Sequence, residues 1–227
     1  MRPGSGSVRL VDEIMTSAGP ARVVLERQDR PAFLLVLTHG AGGTPDSPDV
    51  LAVRDAGRAL GAVTALVTQP YRVRGGRAPG SAVKQDAAWA ELVGVLRGQT
   101  GRGQTGRGQT APLPLVQCGR SNGARVACRT ARQVGAAGVI ALAFPLHPPG
   151  QPEKSRDAEL RGAGTRVLVI NGERDPFGTP EPDETTSVVI LAGETHALSK
   201  HPAAIGDAVT AWLLSALGTT PLRSPVA

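Results

Sequence analysis

Gly119-Arg120-Ser121-Asn122-Gly123 follows a short apolar run, residues 114–118, and opens an Ala/Val-rich run over residues 124–131. A strand that turns straight into a helix leaves space only for small residues two before and two after the serine. Such a turn lifts the hydroxyl above the sheet edge and aims the new helix's amides at it. A serine hydroxyl is a poor nucleophile at neutral pH, so it needs a base, and the base needs an orienting acid. Both follow in the chain. The apolar run 165–170 exits through Asn171-Gly172 into a loop carrying Glu173, Arg174 and Asp175. The β-branched run 187–191 ends in Ala192-Gly193-Glu194-Thr195-His196.

The chemistry implied is attack of Ser121 on an acyl carbon. His196 takes the hydroxyl proton and later protonates the leaving group, and Asp175 fixes the imidazole tautomer. The oxyanion formed needs preorganised amides, each worth about 2.7–4 kcal/mol in such sites. The amide of Asn122 is one. The other is expected from the turn His39-Gly40-Ala41-Gly42-Gly43 after the apolar run 32–38, with Ala41 favoured and Gly42 next. Glu173 is the alternative acid. His39 reads as a brace for its turn. His147 either lines the pocket or bonds its own loop. His201 reads as solvated at a helix start, and Asp86 and Glu91 as an exposed helix face. Arg72 and Arg74 either flank the pocket mouth, favouring an anionic substrate, or form a solvated loop.

Positioning these residues takes strands that deliver them to one sheet edge. The pattern predicts strands over 21–28, 32–38, 64–68, 114–118, 138–143, 166–170 and 187–191. Helices are predicted over 50–60, 83–96, from 121 onward, 153–160 and 202–217. Short β-branched runs alternating with amphipathic helices mean a doubly wound, mainly parallel α/β sheet with one antiparallel pair near its start. In such sheets ligands bind beyond the carboxyl ends of the strands, where the serine, acid and histidine are all expected. Residues 1–20 and 219–227 read as tails flanking one domain over 21–218. Residues 97–110, a tandem Arg-Gly-Gln-Thr repeat, read as a low-complexity loop insertion.

Three pieces carry a family resemblance: Leu37-Thr38-His39-Gly40-Ala41-Gly42-Gly43, Gly119-Arg120-Ser121-Asn122-Gly123-Ala124-Arg125, and Phe144-Pro145-Leu146-His147-Pro148-Pro149-Gly150 leading to Gly172-Glu173-Arg174-Asp175-Pro176-Phe177-Gly178. Together they resemble the α/β-hydrolase family of small bacterial predicted hydrolases. That family takes in a small testis-expressed hydrolase-like protein and the hydrolase-like domain of a chromatin NSL-complex subunit, and it is similar to dienelactone hydrolases. The order serine, aspartate, histidine is that of α/β-hydrolases. The resemblance implies the roles given to Ser121, Asp175 and His196; His147 and Gly42 are the residues expected beside the substrate. The resemblance implies no substrate; the three residues together point to a serine hydrolase acting on a small ester or related acyl compound, and the alternative is a non-catalytic interaction module on the same fold.

The composition agrees. A chain of 227 residues, 41% hydrophobic and 19% charged, suits one globular domain. No large cap domain is expected, since only residues 144–165 could supply one. Long acyl chains therefore gain little in the open cleft expected around Ser121. The net charge of +6 comes with only 3% aromatic residues, so a nucleic-acid surface with base-stacking platforms is not expected. No apolar stretch reaches membrane-spanning length, and no signal peptide is read, so a cytoplasmic location is expected. Cys118 and Cys128 read as buried thiols. Histidines and cysteines lack metal-ligand spacing, and no Gly-x-Gly-x-x-Gly cradle occurs, so neither metal nor cofactor is expected. The expected partner is a small-molecule substrate alone. Oligomeric state has no signal in the sequence.

Overall fold

Every strand at the centre of the sheet alternates between two helical layers, and that alternation builds the molecule. A computed structural model describes residues 9–100, 102–104 and 110–218. The strands are β1 (Arg9–Thr16), β2 (Gly19–Glu26), β3 (Phe33–Thr38), β4 (Ala62–Thr68), β5 (Arg102–Gln104), β6 (Thr110–Pro112), β7 (Leu115–Arg120), β8 (Gly138–Leu142), β9 (Val167–Gly172) and β10 (Thr186–Leu191). The helices are α1 (Pro48–Ala59), α2 (Pro70–Val73), α3 (Ala82–Thr100), α4 (Asn122–Val134), α5 (Asp157–Arg161) and α6 (Pro202–Leu217).

Eight strands form one sheet in the order β1-β2-β4-β3-β7-β8-β9-β10. From β4 to β10 the pairing is parallel, while β2 runs antiparallel to both β1 and β4. Along β3, Phe33, Leu35 and Leu37 join the core under α1 and α6, and Leu34 and Val36 join the core under α3. Val116 and Cys118 of β7, with Ile140 and Leu142 of β8, continue the first core. Val139 and Ala141 of β8 pack instead with Ala124, Ala127 and Ala131 of α4. Strands buried on both faces read as continuous apolar runs, which is why they stand out in the sequence.

The chain leaves β3 on one side for β4 and returns on the other as β7. The carboxyl ends of β3 and β7 therefore border the crevice where the strand order switches, the place such sheets reserve for ligands.

Four expectations need correction. Residues 1–20 are not simply a tail, because β1 pairs along its whole length with β2. Only Ile14 of this strand is buried, with Val11 and Met15 65% and 70% exposed, so β1 lacks an apolar alternation that could announce it. The repeat is not wholly a loop either. Its first unit completes α3, where Thr100 is buried and its hydroxyl donates to Leu96 O, and the Gln99 carbonyl accepts from Arg27. Further on, β5 and β6 pair as an antiparallel hairpin. The strands expected over 21–28 and 32–38 are not partners; β4 lies between them. The helix expected over 153–160 begins only at Asp157, after turns in which Gln151 N and Lys154 N bond Pro148 O and Gln151 O. The tail over 219–227 lies outside the described residues.

Ile14 gives a test of the added strand. Ile14→Ala removes a 5% exposed side chain from the core beneath α3 and should cost about 2–3 kcal/mol in urea unfolding; a frayed terminus would leave the midpoint unchanged.

Candidate functional site

At the end of β7 the backbone reverses direction within one residue. Ser121 has φ 51° and ψ −112°, a conformation unusual for a residue with a side chain, and α4 starts at Asn122. Its amide donates to Leu142 O at 2.8 Å, which holds the strained turn against β8. The flanking glycines are demanded by contact. A Cβ on Gly119 would stand 2.1 Å from Gly123 O, and one on Gly123 would stand 2.6 Å from His39 O.

Ser121 Oγ lies 2.9 Å from His196 Nε2, and His196 Nδ1 lies 2.8 Å from Asp175 Oδ2. Asp175 comes from the turn after β9 and its side chain is fully buried, whereas the His196 side chain keeps 22% of its exposure. The second Asp175 oxygen accepts the Phe177 amide at 2.9 Å. The Phe177 ring stacks at a tilt on the imidazole, centroids 4.3 Å apart. A carboxylate only accepts, so Nδ1 carries the hydrogen, and Nε2 is left with a lone pair facing the hydroxyl. The arrangement can draw a proton from the serine as it attacks.

The turn after β3 packs directly on this serine: a Cβ on Gly40 would come within 3.2 Å of Ser121 Cβ. Gly43 N closes the turn on Gly40 O, and Tyr71 Oη donates to Ala41 O at 3.0 Å. His39 is fully buried beneath it. The Gln69 amide donates to its Nε2 at 3.0 Å, so the ring hydrogen sits on Nδ1 and points at Gly40 O, 2.8 Å away. His39 is thus a brace and not a base. The amides of Ala41 and Asn122 have no hydrogen-bond partner among the described residues. Around Gly42, the space that a side chain would fill is open.

The bonds of His147 stay within its own loop and the one that carries Asp175. Its amide bonds Phe177 O, its Nδ1 bonds Pro148 O, and its Nε2 occupies the space beside Gly178. It braces the loop that carries Asp175. Glu173 accepts the Gly193 amide at the surface. Asp86 is not free on an exposed face: it takes both arms of Arg129. Among the described residues, no group of three His, Cys, Asp or Glu could hold a metal ion.

Three supports escaped the sequence reading. Arg120 donates to Asp49 Oδ2 and to His196 O, both at 2.9 Å, and so ties the start of α1 and the histidine loop to the base of the nucleophile turn. Asn171 holds Phe144 by both amide and carbonyl and reaches Gly178 O. Glu194, fully buried, accepts the Lys200 and His201 amides and shapes the loop around His196. Arg120 stands inside the pentapeptide, but its partners are 71 and 76 residues away.

Removing Arg120 leaves the fully buried Asp49 carboxylate without its counter-charge. Arg120→Met should therefore destabilise the fold by about 3 kcal/mol in urea unfolding. His39 gives a pH signature. Burial holds its pKa below the usual 6.5, with the Gly40 bond opposing and the Arg72 charge adding to the shift. The unfolded chain binds that proton more readily, so this contribution is full above about pH 6.5 and is lost as pH falls through the lower folded value. Thermal midpoints should drop from about pH 7 to about pH 5, and less steeply in His39→Gln.

With this geometry in view, the likeness to known proteins is informative. A lidless α/β serine hydrolase from Xanthomonas campestris is 18% identical, with 97% of this chain and 100% of that chain covered and a TM-score of 0.70. A dienelactone hydrolase from Anabaena variabilis is 15% identical over 92% of this chain and 98% of its own, TM-score 0.67. A hyperthermophilic esterase from the archaeon Pyrobaculum calidifontis is 16% identical over 94% and 87%, TM-score 0.63. No curated protein matches the sequence. The sheet order and the flanking helices are those of the α/β-hydrolase fold. The model of the alpha/beta hydrolase domain matches residues 31–200, a span that runs from the strand before the Ala41 turn to just past His196, and the chain belongs to that family.

Proposed function

We propose that this α/β-hydrolase is a serine hydrolase that cleaves a small ester or related acyl compound. One observation carries the reading: an unbroken hydrogen-bonded line from a strained, turn-borne Ser121 through His196 to the buried Asp175. Ser121 Oγ attacks the acyl carbon while its proton passes to His196 Nε2. The negative oxygen of the tetrahedral intermediate is received by the Ala41 and Asn122 amides, with Gly42 bordering the substrate. Collapse expels the leaving group, which takes the proton from His196 and leaves an acyl group on Ser121. Water, deprotonated by the same imidazole, attacks this acyl-enzyme and frees the acid. Asp175 keeps the imidazole in its tautomer and stabilises the imidazolium. Neither a cofactor nor a metal ion is required by these steps.

Structural neighbours named as an esterase and a dienelactone hydrolase support ester-type substrates. The kinship suggested by the motifs, with small bacterial hydrolases and the testis-expressed and NSL-complex hydrolase-like domains, is part of the same reading. Two buried free thiols suit a reducing cytoplasm, and no described helix is long and apolar enough to cross a membrane.

A fluorophosphonate probe should label the wild-type protein and not Ser121→Ala, with both folded by circular dichroism. On p-nitrophenyl acetate, His196→Ala should lower kcat by several orders of magnitude, up to about 10⁶-fold. Labelling that persists in Ser121→Ala, or an unreactive wild type, would favour a non-catalytic interaction module.

A further inference from the structure

A cavity of about 720 Å³ lies between the β1–β2 turn, the end of β4 and the chain from Pro70 to Leu92. That is ample for a small organic ligand. Ser121 and His196 are not in its wall. Its interior is apolar, with Val67, Tyr71, Ala88, Trp89 and Leu92 among its lining. Trp89 Nε1 is already bonded to Gln117 Oε1, so the indole demands no polar partner from a ligand. At the mouth Val83 is 78% exposed, an apolar side chain left facing water where the cavity opens.

The charged residues of the lining are of one sign, and the Glu91 carboxylate behind the wall is engaged by the Ser17 amide at 2.6 Å. Arg74 and Lys84 are exposed and line the cavity, and no aspartate or glutamate does. Arg74 reaches only the Ala18 carbonyl, across the turn, and neither cation forms an ion pair among the described residues. Most arginines that pack on the body are matched by a carboxylate, as Arg58, Arg120, Arg125, Arg129 and Arg161 are. An apolar chamber rimmed by two unmatched cations is complementary to a molecule with a hydrocarbon body and one anionic end. A cation would be repelled, and a compact polar anion would leave the chamber unfilled.

We propose that this cavity binds a small apolar carboxylate, a medium-chain alkanoate or aryl-alkanoate. The hydrocarbon lies against Trp89 and Leu92, and the carboxylate lies between Arg74 and Lys84. The wall also touches both sides of the serine site: Tyr71 bonds Ala41 O, and Gln85 Oε1 accepts from Asn122 Nδ2 at 2.7 Å. An occupant here is thus one residue removed from both Ala41 and Asn122. Binding does not require a nucleophilic Ser121, so it stands or falls apart from the hydrolase reading.

The test is calorimetric titration of octanoate and of octanol into the wild type and Ser121→Ala. Octanoate should bind both proteins at one saturable site, and octanol at least about tenfold more weakly. Affinity should rise about fourfold per methylene from butyrate to octanoate. Arg74→Glu and Lys84→Glu, both at exposed positions, should each weaken octanoate about tenfold and leave octanol unchanged. Absence of saturable octanoate binding at millimolar concentrations overturns the proposal. Equal affinity for octanoate and octanol does so too, and needs no variant to interpret. Octanoate binding that vanishes in Ser121→Ala would place the ligand at the serine and overturn it as well.

Discussion

The close contact of three backbone segments around Ser121 is the constraint on which the rest of the site depends. Gly119, Gly123 and the His39 carbonyl approach so nearly that no Cβ fits between them. Once β7 and α4 meet in this way, the serine has no choice of direction, and its unusual backbone angles follow from the packing. The neighbouring turn must then be held at a fixed height. His39, Gln69 and Tyr71 do so with hydrogen bonds between largely buried groups. Strain at the nucleophile is supported by a rigid environment on every side, which is the condition for preorganised catalysis.

Much of this was legible. The central strands are buried and read as apolar runs; the serine and the acid each stand just past such a run, and the histidine past the β-branched run of the edge strand β10. The order of the residues along the chain and the topology of the sheet then agree. What stayed hidden depends on contacts that have no local signature. Arg120 is a conspicuous residue in a conspicuous motif, yet nothing near it in sequence announces Asp49. β1 shows the opposite difficulty: its exposed Leu10, Val11 and Met15 belie an edge strand, and only its pairing with β2 reveals it. The cavity wall is assembled from a hairpin turn, a strand end and a helix face, none of which looks like a site alone.

The basic composition also finds its place within the fold. Arg125 and Arg129, one turn apart on α4, share Glu159 of α5, and Arg129 also grips Asp86 of α3. Burial alone would raise the pKa of Glu159, but the two guanidiniums hold it below its usual value. Together they bind α4, the helix that presents Asn122, to its neighbours on either side. Arginine suits this task because its planar fork engages carboxylates with two bonds at once. Part of the positive charge of the chain is thus structural.

The β1–β2 turn closes the outer sheet edge and also forms one wall of the cavity beneath α3. Both duties fall on a segment distant in sequence from Ser121, Asp175 and His196. Ser121 stands at the end of the central strand β7 and Asp175 just past the fully buried β9, while His196 follows β10 at the far edge of the sheet and is held there by its bond to Asp175. The turn at Ser17 and Ala18 hangs from an edge strand that touches none of them. Its length and composition can drift without moving Ser121, Asp175 or His196, so a change in the shape of the cavity need not disturb their hydrogen-bonded line.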